Sequence, residues 1–149
     1  MMEPDSAAQK ELRMTDERMP ALSAERVSIG IEELKSRHGP PPWAAPLVVN
    51  DRFQVMVICQ APGHRNDWHY HLTEECWSIY EGELAWTLEG QSEPVRVTAG
   101  EWIFAPANTF HLIEVLGEQP AIRIAITPAG EYHRHERADA PSAPPGTMR

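Results

Sequence analysis

At 149 residues, 42% hydrophobic and 23% charged, the chain has the length and balance of one domain with a buried core. Its formal net charge of −9 argues against a nucleic-acid partner, because a phosphate backbone calls for a basic face. No apolar run approaches the roughly 20 residues that cross a bilayer, so no membrane span is expected. Two cysteines, Cys59 and Cys76, make no disulfide framework. The start MMEPDSAAQKELR lacks the basic and apolar regions of a secretory signal, and cytoplasm is the expected location.

Residues 1–22 are polar and without period, which predicts a disordered tail. Met14 and Met19 lie within it. Over 23–46, Ser28 is placed to cap a short helix through Ile29, Ile31 and Leu34, ending near His38-Gly39. Pro40, Pro41 and Pro42 then impose an extended connector, with Trp43 as a packing anchor. Over 47–128 the punctuation becomes regular: Pro62-Gly63, Glu81-Gly82, Glu89-Gly90, Ala99-Gly100, Pro106 and Gly117 separate runs such as WSIY, LAWTL, WIFA, HLIEV and AIRIAI. Short strands at near-even spacing predict an all-β barrel or sandwich. Residues 129–149 read as a polar, proline-rich tail.

The chemistry concentrates between Gly63 and Gly82, in GHRNDWHYHLTEECWSIYEG. His69 and His71 stand at i and i+2, which places both on one face of an extended strand. Glu75 follows four residues on, and GEWIFAPANTFH brings a third histidine, His111, from a distant strand. Three imidazoles and one carboxylate suit a first-row divalent metal; a cysteine-rich or all-oxygen set would point elsewhere. An octahedral ion held by four such ligands keeps two positions open, whereas tetrahedral zinc would be saturated. His133 and His135 repeat the H-x-H spacing in the tail, where adventitious metal binding is all the sequence supports. No G-x-S-x-G elbow, P-loop or dinucleotide fingerprint occurs, which removes those hydrolase and nucleotide readings.

These residues resemble the two motifs of the cupins, small β-barrels marked by G-x5-H-x-H-x3,4-E-x6-G and G-x5-P-x-G-x2-H-x3-N. Gly63, His69, His71, Glu75 and Gly82 fill the first. Gly100, Pro106 and His111 match the second, with Asn108 in place of the middle glycine and Val115 in place of the final asparagine. Asparagine tolerates a left-handed turn better than most residues. The resemblance covers about residues 47–127 and implies a single cupin jelly-roll β-barrel with a short N-terminal helix and flexible tails. It also implies a metal cage of His69, His71, Glu75 and His111, and a homodimer.

Within that family the chain looks most like the 3-hydroxyanthranilate 3,4-dioxygenases, through Phe53-Gln-Val-Met-Val, Pro62, Arg65-Asn-Asp-Trp-His69, Glu74-Glu75 and the Phe104 to His111 run. That likeness implies Fe(II) as the favoured ion, with Mn(II), Ni(II), Co(II) or Zn(II) as alternatives. It also implies that Arg65 contacts the substrate or the oxygen pocket. The departures are His71 where an acid or amide is usual, Val115 for a second substrate arginine, and Ile126 for a catalytic glutamate. Arg123 on the same strand faces solvent if Ile122, Ile124 and Ile126 face inward. The expected function is a metal-dependent enzyme acting on a small, aromatic and anionic substrate, most simply a non-haem iron dioxygenase. A non-redox isomerase, cyclase or lyase, or a barrel that binds small molecules without turnover, is the alternative.

Overall fold

The computed structural model describes residues 19–147, so most of the tail expected over 1–22, Met14 included, lies outside the described residues. Among the described residues, one helix, α1 (Ile31–His38), precedes eight strands. These are β1 (Trp43–Val49), β2 (Phe53–Gln60), β3 (Glu75–Glu81), β4 (Glu83–Leu88), β5 (Val95–Thr98), β6 (Trp102–Ala105), β7 (His111–Leu116) and β8 (Ala121–Pro128). A five-stranded sheet in the order β1-β2-β8-β3-β6 faces a three-stranded sheet in the order β5-β4-β7, and every pairing is antiparallel. This is the all-β architecture that the punctuation predicts, in the jelly-roll form that the resemblance implies.

The interior is filled from both sheets. Trp77 and Ile79 of β3 meet Leu84, Trp86 and Leu88 of β4 and Ile113 and Val115 of β7, alternate residues that point inward from each strand. A second apolar layer lies outside the larger sheet. There Leu34 of α1 and Trp43 of β1 cover Val57, Cys59 and Ile122. The helix is held by this one buried leucine and by charge: acidic Glu32 and Glu33 sit in its first turn, basic Lys35 and Arg37 in its last. Its cap is Gly30, with no side-chain hydrogen bond, so the helix starts two residues after the expected Ser28 cap. Ser28 instead offers its carbonyl to Arg26 Nε.

The barrel also begins earlier than the expected residue 47, because Trp43 to Pro46 already pair with β2. Pro46 is tolerated there since β1 is an edge strand and a bulge follows it. Ala21 and Leu22, expected in the tail, donate to the carbonyls of Pro46 and Leu47.

Gly82 closes the tight β3–β4 turn at φ 86°, and a Cβ there would lie 2.7 Å from the Pro120 carbonyl oxygen. A Gly82→Ala substitution therefore meets both a left-handed backbone and a backbone clash. It is expected to destabilise the fold by about 1–3 kcal/mol through the backbone conformation alone, read from the midpoint of a urea unfolding curve. Asn108 adopts φ 58°, the left-handed turn that the motif otherwise assigns to glycine.

Candidate metal centre

The segment after β2 runs beside β7 and carries the first two histidines. His69 and His111 face each other across an antiparallel bridge, with N–H to O distances of 3.2 and 2.7 Å. His71 lies two residues on, its ring edge-on to His69 at 5.1 Å between centroids. Glu75 opens β3 and His111 opens β7, so three chain segments converge at one end of the barrel. The ligand atoms of His69, His71, Glu75 and His111 all lie within 4.8 Å of one another. His71 Nε2 and His111 Nε2 stand 3.4 and 3.5 Å from the same Glu75 oxygen, Oε1.

The atoms around this cluster fix its orientation. His69 Nδ1 donates to the Asp67 carbonyl at 2.8 Å and His111 Nδ1 to the Thr109 carbonyl at 3.1 Å, which leaves Nε2 of each ring free as a ligand. Thr127 Oγ1 donates to Glu75 Oε2 at 3.1 Å, steering Oε1 toward the histidines. The residues are buried, yet His71 Nε2, His111 Nε2 and Glu75 Oε1 have no hydrogen-bond partner. Three converging buried polar atoms without partners are costly unless a cation satisfies them. The donor set and these unpaired atoms fit a divalent transition metal.

Electrostatics favour the ligating forms of Glu75 and His69. Burial alone would raise the Glu75 carboxyl, but the His111 and His71 rings outweigh it and hold the group well below the usual range. Burial, reinforced by His111 and His133, pushes His69 down to about 3, so its ring is neutral at pH 7. His71 moves the other way: burial opposes the charged ring, but Glu75, Glu131 and the Tyr132 backbone outweigh it.

Arg65 is not brought to this cluster. It bridges Glu114, which alternates with the inward Ile113 and Val115 and therefore points out of the barrel. Its Nε lies 3.9 Å from Glu114 Oε2, and its Nη1 donates to the Pro145 carbonyl. The interior arginine is Arg123, which corrects the solvent-facing expectation. Ile122 and Ile124 face the layer under α1 and β1, so the alternate residues Ala121, Arg123, Ala125 and Thr127 face the barrel interior. Arg123 is 4% exposed and hydrogen-bonded to Gln60, whose amide nitrogen lies 2.7 Å from His64 Nε2. Burial lowers its guanidinium to about 10, while the Glu75 charge works to keep it protonated.

Trp77 is buried in the core, 5.2 Å from Trp86 and edge-on to His111 at 5.5 Å. It floors the cluster. Trp86 is likewise fully buried, whereas Trp102 is 61% exposed on the outer face. Cys59 and Cys76 are free, and burial raises both thiols, so neither is primed as a nucleophile.

The expected flexible tail is docked over the described part of its length. His133 stacks on His69 at 3.5 Å with the rings 4° from parallel, and its Nδ1 lies 2.8 Å from Asp67 Oδ1. His135 Nε2 meets Asp67 Oδ2 at 2.5 Å. Asp67, Thr127, Glu131 and the inward position of Arg123 are the site features that sequence reading missed. The H-x-H repeat of the tail was the visible signal, but its carboxylate partner lies 66 residues away.

The family described as "Cupin domain" matches residues 56–127. No curated protein is significantly similar to the chain. Among solved structures, a conserved double-stranded β-helix protein from Klebsiella pneumoniae aligns at 18% identity and TM-score 0.59, over 73% of this chain and 97% of that one. A cupin family protein from Methanocaldococcus jannaschii aligns at 24% identity and TM-score 0.56, over 62% and 84%. The polyketide cyclase RemF from Streptomyces resistomycificus aligns at 21% identity and TM-score 0.55, over 64% and 72%.

Proposed function

Taking as premise a domain match and fold that support a place in the cupin superfamily, we propose that this protein is a metal-dependent enzyme acting on a small apolar or aromatic substrate. The observation that carries the reading is the buried group of His69, His71, Glu75 and His111, whose ligand atoms converge and lack protein partners. Bound there, a divalent transition metal supplies Lewis-acid polarisation of a substrate oxygen and, as iron(II), electrons for dioxygen chemistry. The residues do the positioning: Asp67, Thr109 and Thr127 hold the ligands, and burial keeps bulk water from Glu75.

A shallow groove of about 280 Å³, lined by Phe53, Cys76, Phe104, Ile126 and Thr127, lies on the outer face of the larger sheet with Glu75 at its border. Its aromatic walls suit an apolar or aromatic substrate. Ring cleavage by iron and dioxygen is the favoured version, on the likeness to the 3-hydroxyanthranilate dioxygenases. Arg65 is turned to Glu114 and Pro145, and Ile126 stands in that family's catalytic glutamate position, so the substrate of that family is not carried over. Those same two residues favour, as the second reading, a non-redox cyclase, lyase or isomerase that needs only polarisation.

Elemental analysis of protein purified without tag or added metal tests both. Near-stoichiometric iron, with oxygen uptake on catechols or aminophenols, supports the dioxygenase. Manganese, nickel, cobalt or zinc supports the second reading, and no metal even after reconstitution would sink the enzyme proposal.

We also propose a cytoplasmic homodimer formed at the outer face around β6, where Trp102 is 61% exposed beside an open strand edge. Trp102→Glu is expected to shift the sedimentation coefficient from dimer to monomer. A wild type that sediments as a monomer overturns the dimer.

A further inference from the structure

The proposed function leaves unused the strap that crosses the mouth of the barrel. Residues 129–137 are tied down at each step. Ala129 donates to the Arg52 carbonyl, and Tyr70 and Arg134 exchange backbone hydrogen bonds of 2.9 and 3.1 Å. Tyr70 Oη donates to the Glu136 carbonyl at 2.7 Å. Arg137 binds both oxygens of Glu89 and the Asn108 carbonyl, with its guanidinium 5.1 Å above Phe110. Two strap residues reach the cluster: His133 stacks on the His69 ring, and Glu131 lies behind His71. Glu131 is pinned by Thr73 Oγ1 at its Oε1, and its other oxygen, Oε2, lies 3.7 Å from His71 Nδ1.

The three histidines of the cluster are not held alike. His69 and His111 each donate Nδ1–H to a carbonyl two residues back. His71 has no such bond. Its Nδ1 and Glu131 Oε2 are both buried, neither makes a hydrogen bond of normal geometry, and they face each other just beyond hydrogen-bond length, with the Tyr132 backbone beside the ring. A shift of under about 1 Å joins them into an N–H···O⁻ bond.

We propose that Glu131 is a positioning residue for His71, accepting its Nδ1–H so that Nε2 is presented to the metal, and that it thereby couples docking of the C-terminal strap to metal loading. A carboxylate behind an imidazole fixes the tautomer and raises the basicity of the ligating nitrogen. Here that carboxylate belongs to the strap, so a loaded site holds the strap down and a docked strap tightens the site, by equal free energies. The inference rests on the cage of the proposed function, and the experiment separates the two.

Cobalt(II) is titrated into metal-free protein against a competing chelator, with visible absorption reporting its ligand field. Wild type, Glu131→Ala and Glu131→Gln are compared, each checked for an unchanged thermal transition. Loss of the carboxylate is expected to weaken cobalt affinity about 10–100-fold, the usual effect of removing such a partner. The glutamine, which keeps an acceptor oxygen and the packing, is expected to recover part of it and carries the test if the alanine variant fails to fold. In parallel, cobalt is expected to slow tryptic cleavage after Arg134 and Arg137 in the wild type but not in Glu131→Ala. Equal affinity in wild type and Glu131→Ala, or cleavage indifferent to cobalt in the wild type, overturns the inference and leaves the cage standing. A wild type that takes up no cobalt removes both.

Discussion

Replacing His71 by alanine is expected to weaken metal binding more than about 100-fold, since partners one shell out already account for about 10–100-fold. The reason is geometric. His71 Nε2 and His111 Nε2 stand almost equidistant from Glu75 Oε1, at 3.4 and 3.5 Å, and all three atoms are buried and unpaired. A site that used only His69, Glu75 and His111 would leave the His71 nitrogen buried without a partner, an arrangement that costs about 1–3 kcal/mol. Four ligands remove that cost. The measurement is metal content by elemental analysis after dialysis at fixed free ion concentration, with His111→Ala as the reference for loss of a residue that both arrangements use. Metal content in His71→Ala equal to wild type would instead establish a two-histidine, one-carboxylate site with His71 as a bystander. The His71→Ala protein is also expected to relieve the pull on Glu75, whose carboxyl is held low by both rings, so the group should titrate closer to the ordinary carboxylate range.

How much of this was legible depended on whether the signal was local. Period two put His69 and His71 on one face, and the structure brings both to His111 across a backbone bridge. Glycine and asparagine at positive φ marked the turns where they occur, at Gly82 and Asn108. Arg123 was misread because β8 is buried on both faces. The run Ile122, Ile124, Ile126 looks like an inward stripe, but the layer of Leu34, Trp43 and Val57 lies outside the sheet and claims Ile122. Alternation alone cannot say which buried face is the barrel interior. The family likeness placed Arg65 at the pocket, yet the register slips by one residue between the Arg65–Glu114 and His69–His111 bridges. That slip turns Arg65 outward. The tail has little apolar content and docks through Arg137 with Glu89 and through His133 and His135 with Asp67, pairs that leave no periodic trace in sequence.

Trp77→Ala is expected to cost the fold about 3–5 kcal/mol, the range for truncating a buried tryptophan. Trp77 is 2% exposed and spans the interior from Trp86 of the smaller sheet to the His111 ring. Its removal opens a void between the sheets that neighbouring residues of two twisted β-layers close only in part. Because the ring also backs His111 edge-on at 5.5 Å, the loss should reach the metal cluster as well as the core. A void behind the imidazole lets the ring rock about its Nδ1 bond to the Thr109 carbonyl, so Nε2 no longer sits at one distance from Glu75. Two readouts separate these effects: urea denaturation of the metal-free protein gives the packing term, and the difference between loaded and metal-free stability gives the binding term. Trp77→Phe keeps an aromatic body against Trp86 and is expected to recover most of the first but less of the second. A Trp77→Ala protein as stable as the wild type would mean that the cluster rests on the backbone bridge alone, with the core beneath it free to collapse.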